Sequence, residues 1–331
     1  MTGPGTLLLR RREITALLSL EECIEAVENA FRLYGQGKTL PSGVLSVPAR
    51  NGGFHIKAAG LPLKRAYFAA KTNGNFFQNR ERFGMPNIQG IILLCDGENG
   101  YPLALMDSIE ITILRTGAAT AVAAKYLARP DASVATICGC GNQGRIQLRA
   151  LARARSLTRV FAFDQDKGQA DRFAEEFSTE LRIPVEAVRE LVPAVKQSDL
   201  CVTCTPSRSF FIRRDDSAPG AFLAAVGADS EDKQELQPEL LASSKVVVDI
   251  LEQCATIGEL HHALAKGLMS RGDVYAELGE VVAGMKPGRT SGEEIIIFDS
   301  TGTALQDTAA AAVVYEKAIS RSSGVMLNFL E

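Results

Sequence analysis

Apolar residues recur along this chain in two rhythms, and the change between them divides it. Over residues 19–34, Ile24, Val27, Phe31 and Tyr34 fall on one helical face. Ser19 and Glu22 form a Ser-x-x-Glu capping box at the start, and Gly35 stops the helix. From Gly43 to Leu94 the pattern turns to β-rich runs at 44–47, 53–57, 66–72 and 87–94, separated by turns rich in Gly, Pro and Asn. A hairpin-like turn over 96–100 leads into a further run, 101–106. These predict an antiparallel or mixed sheet in a first domain.

An alanine-rich helix is predicted over 109–128, ended by Pro130 and Asp131. Beyond it strands and helices alternate. A buried strand at 134–138 runs into glycines, and Ile146, Leu148, Leu151 and Ala154 suit one face of a helix over 145–154. A strand at 158–163, a helix over 167–181, a short strand near Pro184 and Val185, a helix to Gln197 and an apolar run over 199–206 follow. Further strands are expected at 221–226, 245–250 and 294–298. This alternation predicts an α/β fold, a Rossmann-type doubly wound parallel sheet that binds ligands at the carboxyl ends of its strands. A last helix, 302–319, carries Leu305, Thr308, Ala312, Tyr315 and Ile319 on one stripe. With no strand expected after it, it is assigned back to the first domain. The expected organisation is an α+β domain, 1–114 with 303–331, and a dinucleotide-binding domain, 115–302.

Gly139, Gly141 and Gly144 have the G-x-G-x-x-G spacing between strand and helix. The first glycine permits the turn, the second lets a pyrophosphate approach the backbone, and the third lets helix pack on strand. The helix N-terminus adds N–H groups and positive potential for phosphates. Asp164 ends the next strand at the place where an acid would bond the adenosine ribose 2′-hydroxyl. That favours NAD and makes NADP less suitable, because a 2′-phosphate would meet a carboxylate. Thr205 and Ser207 lie at the end of a later strand, and Gly227, Ala228 and Asp229 at the next. Arg115 stands in an otherwise apolar, small-residue stretch. A charge in such company must reach an anion or a cleft, since burial without a partner is strongly destabilising.

Composition narrows the ligand. The chain has 331 residues, 46% hydrophobic and 23% charged, ample for two cores. A formal net charge of -3 leaves no basic footprint, which argues against nucleic acid or an anionic membrane as partner and for a small molecule. No run reaches the roughly 18 apolar residues of a membrane span. The Leu-Leu-Leu of residues 7–9 precedes three arginines, the wrong order for a signal peptide, so a cytoplasmic protein is expected. Seven cysteines include Cys138 with Cys140 and Cys201 with Cys204. The last two would face opposite ways on a strand, and no other pair completes a tetrahedral set, so core thiols are expected and no metal.

The run from Arg115 into the glycine loop, with Glu98-Asn-Gly-Tyr-Pro102, Ala123-Ala-Lys-Tyr-Leu127, Gly227-Ala-Asp229 and Ser300-Thr-Gly-Thr-Ala-Leu-Gln-Asp307, resembles the ornithine cyclodeaminase/mu-crystallin family over nearly the whole chain. The resemblance implies a homodimer joined through the first domain. It implies that Lys71 and Arg115 hold a substrate carboxylate, that Asp229 meets the amine or imine nitrogen, and that Thr116, Asn142, Gln143, Asp164 and Thr205 line the dinucleotide. An α-amino or α-imino acid needs such groups, with a nicotinamide for its α-hydrogen as hydride.

The chain also departs from the family. Pro41-Ser-Gly43 stands where the family usually has Pro-Pro-Arg, so an arginine that helps bind the carboxylate is missing. His55 aligns with the glutamate that ornithine cyclodeaminase uses for the distal amine, and Lys57 replaces an apolar residue. Alternate strand residues share a face, so Lys57 would supply the missing charge with His55 beside it. A diamino acid then loses its recognition group, and the extra cation suits a second carboxylate or a hydroxyl. The expected protein is an NAD-dependent oxidoreductase of small α-amino or α-imino acids, an imine or ketimine reductase or an amino acid dehydrogenase, with Asp229 and Lys71 as catalytic residues. The alternatives are a cyclodeaminase-type ammonia lyase using NAD+ catalytically and a non-enzymatic, mu-crystallin-like binding protein.

Overall fold

The computed structural model describes residues 5–328. The chain forms two compact units, the residues up to Arg115 with those from Thr303 onward, and Thr116–Gly302.

The first unit is built on a seven-stranded mixed sheet in the order Val325–Leu327, Thr6–Leu9, Pro102–Asp107, Ile88–Asp96, Ala66–Asn75, Gly52–Pro62, Gly43–Ala49. Only Thr6–Leu9 and Pro102–Asp107 run parallel. The strands Thr6–Leu9 and Val325–Leu327 were not expected, being too short to show an alternation of their own. Helix Leu20–Gly35 begins as its capping box requires: the Glu22 carboxylate accepts from Ser19 N at 3.0 Å, and Ser19 Oγ accepts from Glu22 N.

Helix Ala304–Ser320 packs on strands Gly52–Pro62 and Ala66–Asn75 and against helix Leu20–Gly35. Enclosed from both sides, it is buried at every position from 304 to 312, and the expected single stripe fails: Ile319 is 47% exposed. Small residues all round allow that double packing. The helix does belong with the first unit, but a strand, Val325–Leu327, follows it after all. Beneath it Tyr67, Ala69, Lys71 and Asn73 alternate onto the buried face of their strand.

The second unit carries an eight-stranded, wholly parallel sheet in the order Ala276–Glu277, Lys245–Val248, Ile296–Asp299, Phe222–Ala225, Leu200–Thr203, Val134–Cys138, Arg159–Phe163, Val185–Ala187. Its central strands are buried on both faces, hence their continuous apolar runs. Strand order reverses between Val134–Cys138 and Leu200–Thr203, which makes their carboxyl ends the topological switch point. Among the described residues no helix is long and apolar enough to cross a membrane, and no group of three or more His, Cys, Asp or Glu could hold a metal. All seven cysteines are free thiols.

Candidate active site

In the first unit, strand Ala66–Asn75 delivers Lys71 beneath helix Ala304–Ser320, where its ammonium lies 2.6 Å from Asp307 Oδ2. Arg115, on helix Ile109–Leu127, donates through Nε to Asp307 Oδ1 at 3.1 Å and through Nη1 to Gln306 Oε1 at 2.9 Å. These bonds explain why Arg115 groups with the first unit and does not open the second. Lys71, Arg115 and Asp307 are 3%, 6% and 1% exposed. Burial lowers the Lys71 pKa to about 7, helped by the charges of Arg115 and Lys57 and opposed by Asp307. Burial alone would raise the Asp307 carboxyl, but Lys71 and Arg115 hold it below its ordinary value. The cluster is two basic side chains on one carboxylate, with hydrogen-bonding capacity left for an incoming anion.

In the second unit, Gly139 has φ +101°, which a side chain would strain, and a Cβ there would meet the Cys204 carbonyl oxygen at 2.9 Å. A Cβ on Gly144 would lie 2.0 Å from the Gly139 carbonyl oxygen, so helix Asn142–Ala154 and the preceding turn are in contact there. Gly141, by contrast, faces open space, and no side chain caps the helix that starts beside it. Gln143 Oε1 is buried with no hydrogen-bond partner. Open backbone at the middle glycine, over an uncapped helix N-terminus, fits a pyrophosphate. Asp164 follows strand Arg159–Phe163; its Oδ2 accepts from Cys140 N at 2.8 Å and Gln169 Nε2 at 2.7 Å, and its Oδ1 from Asp166 N at 2.9 Å. Two carboxylate oxygens offer about four acceptor positions, so one remains for a ribose hydroxyl. Thr116 is the first residue of this unit.

Two loops at neighbouring strand ends share a buried anchor. Glu235, fully buried, accepts from Thr205 N and Oγ1 through Oε1 at 2.6 and 2.7 Å, and from Gly227 N through Oε2 at 3.0 Å. Glu259 in turn accepts from Glu235 N at 2.6 Å and Leu236 N at 3.1 Å, and Asp299 accepts from Glu259 N and Leu260 N. Burial raises the pKa of all three carboxyls, Asp299 to about 7. Ser207 turns its hydroxyl to the Ser209 carbonyl at 2.7 Å. Asp229, two residues beyond Gly227, pairs with Lys233 at 2.6 Å and keeps its side chain 42% exposed. It caps no helix, because the next one, Pro238–Ala242, has Gln237 at its N-cap.

The model of the ornithine cyclodeaminase/mu-crystallin family matches residues 5–322. The chain belongs to this family. Among solved members, an archaeal alanine dehydrogenase dimer with bound NAD is 40% identical, covers 98% of this chain and 99% of its own, and has a TM-score of 0.93. The Thermococcus litoralis Δ1-pyrroline-2-carboxylate reductase, in complex with NADH and L-proline, is 35% identical over 97% of this chain and 100% of its own, with a TM-score of 0.92. The iminosuccinate reductase of Paracoccus denitrificans, in complex with NAD+, is 31% identical over 98% and 99%, with a TM-score of 0.89.

The site residues expected from sequence thus fall into two sets within this family fold. Lys57, Lys71 and Arg115 come together in the first unit; Gly139, Gly141, Asn142, Gln143, Gly144, Asp164, Thr205 and Asp229 lie on the carboxyl-end loops of the second. Lys57 is 7% exposed, not on an outer face, and His55 is half-buried. Sequence missed Asp307 and Glu235. The signal for Asp307 was present: it is an acid inside an alanine-rich run, the mirror of Arg115. Glu235 carries no such signal, since its partners are mostly backbone N–H groups distant in sequence.

Proposed function

We propose that this family member is a cytoplasmic, homodimeric, NAD-dependent oxidoreductase of small α-amino or α-imino acids, working as imine or ketimine reductase or as amino acid dehydrogenase. The observation that carries the reading is the buried Lys71–Arg115–Asp307 cluster. Two buried cations on one carboxylate are costly to maintain and suit a site that takes a further anion. The glycine loop supports the dinucleotide half, as do relatives solved with NAD, NADH or NAD+.

When bound, the nicotinamide supplies or takes the hydride at the substrate α-carbon. Gly139, Gly141, Gly144, Asn142 and Gln143 hold the pyrophosphate, Asp164 the ribose hydroxyl, and Thr116, Thr205 and Ser207 line the remainder. Lys71 and Arg115 hold the α-carboxylate and fix the α-carbon, which removes orientational freedom from the reacting pair. Asp229 gives a proton to the nitrogen as imine becomes amine, and takes it back in the reverse direction.

The homodimer reading rests on one sheet face of the first unit. Leu45, Phe54, Ile91 and Leu93 are 55%, 42%, 48% and 36% exposed, and register puts Leu45, Ile56, Thr72 and Ile91 in one row. An apolar sheet face of this kind marks an association surface; the occupant we propose is a second copy, since the archaeal relative is a dimer. Ile91→Glu should convert a dimer to monomer in analytical ultracentrifugation; a wild-type monomer would remove the assignment.

The deciding assay follows NADH absorbance with cyclic ketimines and with keto acids plus ammonia, beside an ornithine-to-proline assay on NAD+. NADH oxidation, preferred over NADPH, is expected. Proline and ammonia without net NADH change would make the protein a cyclodeaminase, and equal use of both cofactors would take Asp164 out of its role. Asp229→Asn should lower kcat by about 10²–10⁴-fold, the usual range for a lost acid/base group, with NADH affinity by fluorescence nearly unchanged. Wild-type turnover in that variant would exclude Asp229.

A further inference from the structure

Thr303 and Gln306 repeat, at the start of helix Ala304–Ser320, the Thr-x-x-Gln pattern of a capping box. Helix Leu20–Gly35 closes its own box through Ser19 and Glu22, but this one stays open. Thr303, at the N-cap, makes no side-chain cap bond, and its Oγ1 is buried without a hydrogen-bond partner. Gln306 turns Oε1 to Arg115 Nη1 at 2.9 Å, and its Nε2 is buried without a partner. The guanidinium can only donate, so it fixes the amide: the oxygen must face Arg115 and the NH2 group must face elsewhere. A buried helix end with two unsatisfied polar groups costs free energy, which an acceptor set between them would recover.

An anion is the acceptor these groups suit. The first turn of a 17-residue helix carries N–H groups and positive potential. Gln306 sets its donor beside Arg115, and Thr303 adds a hydroxyl nearby, because N-cap and N3 side chains are neighbours. Thr303, Gln306, Lys71, Arg115 and Asp307 all belong to the first unit. A carboxylate offers about four acceptor positions. Lys71 and Arg115, which also meet Asp307, supply charge for it, and a neutral amide and hydroxyl fill the remaining positions without burying more charge.

Resting on the oxidoreductase reading, we infer that the open box is the neutral half of the carboxylate site. Gln306 Nε2 and Thr303 Oγ1 donate to the substrate α-carboxylate, whose charge Lys71 and Arg115 meet.

The test is calorimetric titration of the NAD+-loaded protein with propionate and propionamide, beside NADH oxidation with pyruvate and ammonia. The wild type should bind propionate at least about tenfold tighter than propionamide; equal binding overturns the inference. Gln306→Glu keeps the acceptor that Arg115 uses and removes the donor, so a role confined to holding Arg115 predicts no loss. We expect propionate affinity, and kcat/KM for pyruvate with ammonia, to fall by about tenfold or more, the order of one hydrogen bond to a charged group. Thr303→Val keeps the shape and removes the hydroxyl, and should weaken propionate by about threefold or more. Propionate affinity within twofold of wild type in either variant overturns the inference, and if Gln306→Glu does not fold, Thr303→Val decides alone. If pyruvate is not reduced while propionate binding still depends on Gln306 and Thr303, the oxidoreductase reading fails and this one stands. Reduction of pyruvate with propionate affinity unchanged in both variants has the opposite meaning.

Discussion

Lys71→Met is expected to lower kcat/KM by about 10³-fold, the kinetic equivalent of the roughly 2–5 kcal/mol lost when one partner of a buried, hydrogen-bonded charge pair is truncated. The lysine is 3% exposed and, in the proposed reaction, is the ammonium that meets the substrate carboxylate. Its pKa of about 7 adds a pH signature. Raising the pH through 7 removes its charge and with it the attraction for an anionic substrate, so kcat/KM, which reports the free enzyme, should fall on the alkaline side. Lys71→Arg keeps its charge across this range. The quotient of wild-type over Lys71→Arg kcat/KM, measured from pH 5.5 to 8.5, cancels ionisation of the substrate and should decline with an apparent pKa near 7. A flat quotient, or a Lys71→Met enzyme within threefold of wild type, would remove Lys71 from the carboxylate site.

Asp307→Leu should destabilise the first unit by about 3–5 kcal/mol, because it strands two buried cations. Lys71 would lose its ion pair at 2.6 Å, and Arg115 its bond at 3.1 Å, keeping only Gln306. The loss should depend on pH with a definite sign. A lysine whose folded pKa lies below its unfolded value makes folding less favourable where it must remain protonated, and that deficit fades as pH rises. Removing Asp307 depresses the Lys71 pKa further below 7, so the added destabilisation should be larger at pH 6 than at pH 8.5. Urea titrations of Asp307→Leu and the milder Asp307→Asn at both pH values measure it. A loss under about 1 kcal/mol for both variants would mean that the cations are satisfied elsewhere.

The second unit was legible from sequence because its signals are local. Strand 134–138, the three glycines and helix 167–181 each announce themselves within a few residues, and the structure has Val134–Cys138, Asn142–Ala154 and Lys167–Leu181 there. The position of Ile296–Asp299 between Phe222–Ala225 and Lys245–Val248 was not legible, since pairing order among fully buried strands leaves no periodic trace. In the first unit the two-residue step correctly set Lys57 on the same face as His55, whereas Lys71 was singled out only by the family resemblance. The character of helix Ala304–Ser320 was misjudged because small residues hide a face: alanine and threonine serve equally against sheet and helix, so no stripe marks double burial. Glu235 was invisible for another reason. A side chain that replaces a stretch of backbone ladder is recognised only when the loops it joins are seen together.

The chain leaves the first unit at Arg115 and returns to it at Thr303. Arg115 and Asp307 are 192 positions apart. At a synthesis rate of about 5–20 residues per second, the guanidinium leaves the ribosome roughly 10–40 s ahead of its counter-charge. Throughout that interval the sheet of the first unit lacks the helix that covers Lys71, and by its end the inserted unit has every strand of its own sheet. The ribosome-bound nascent chain therefore passes through a stage with its nucleotide-type half complete and its lysine-bearing sheet open, the stage at which a chaperone would have most to protect.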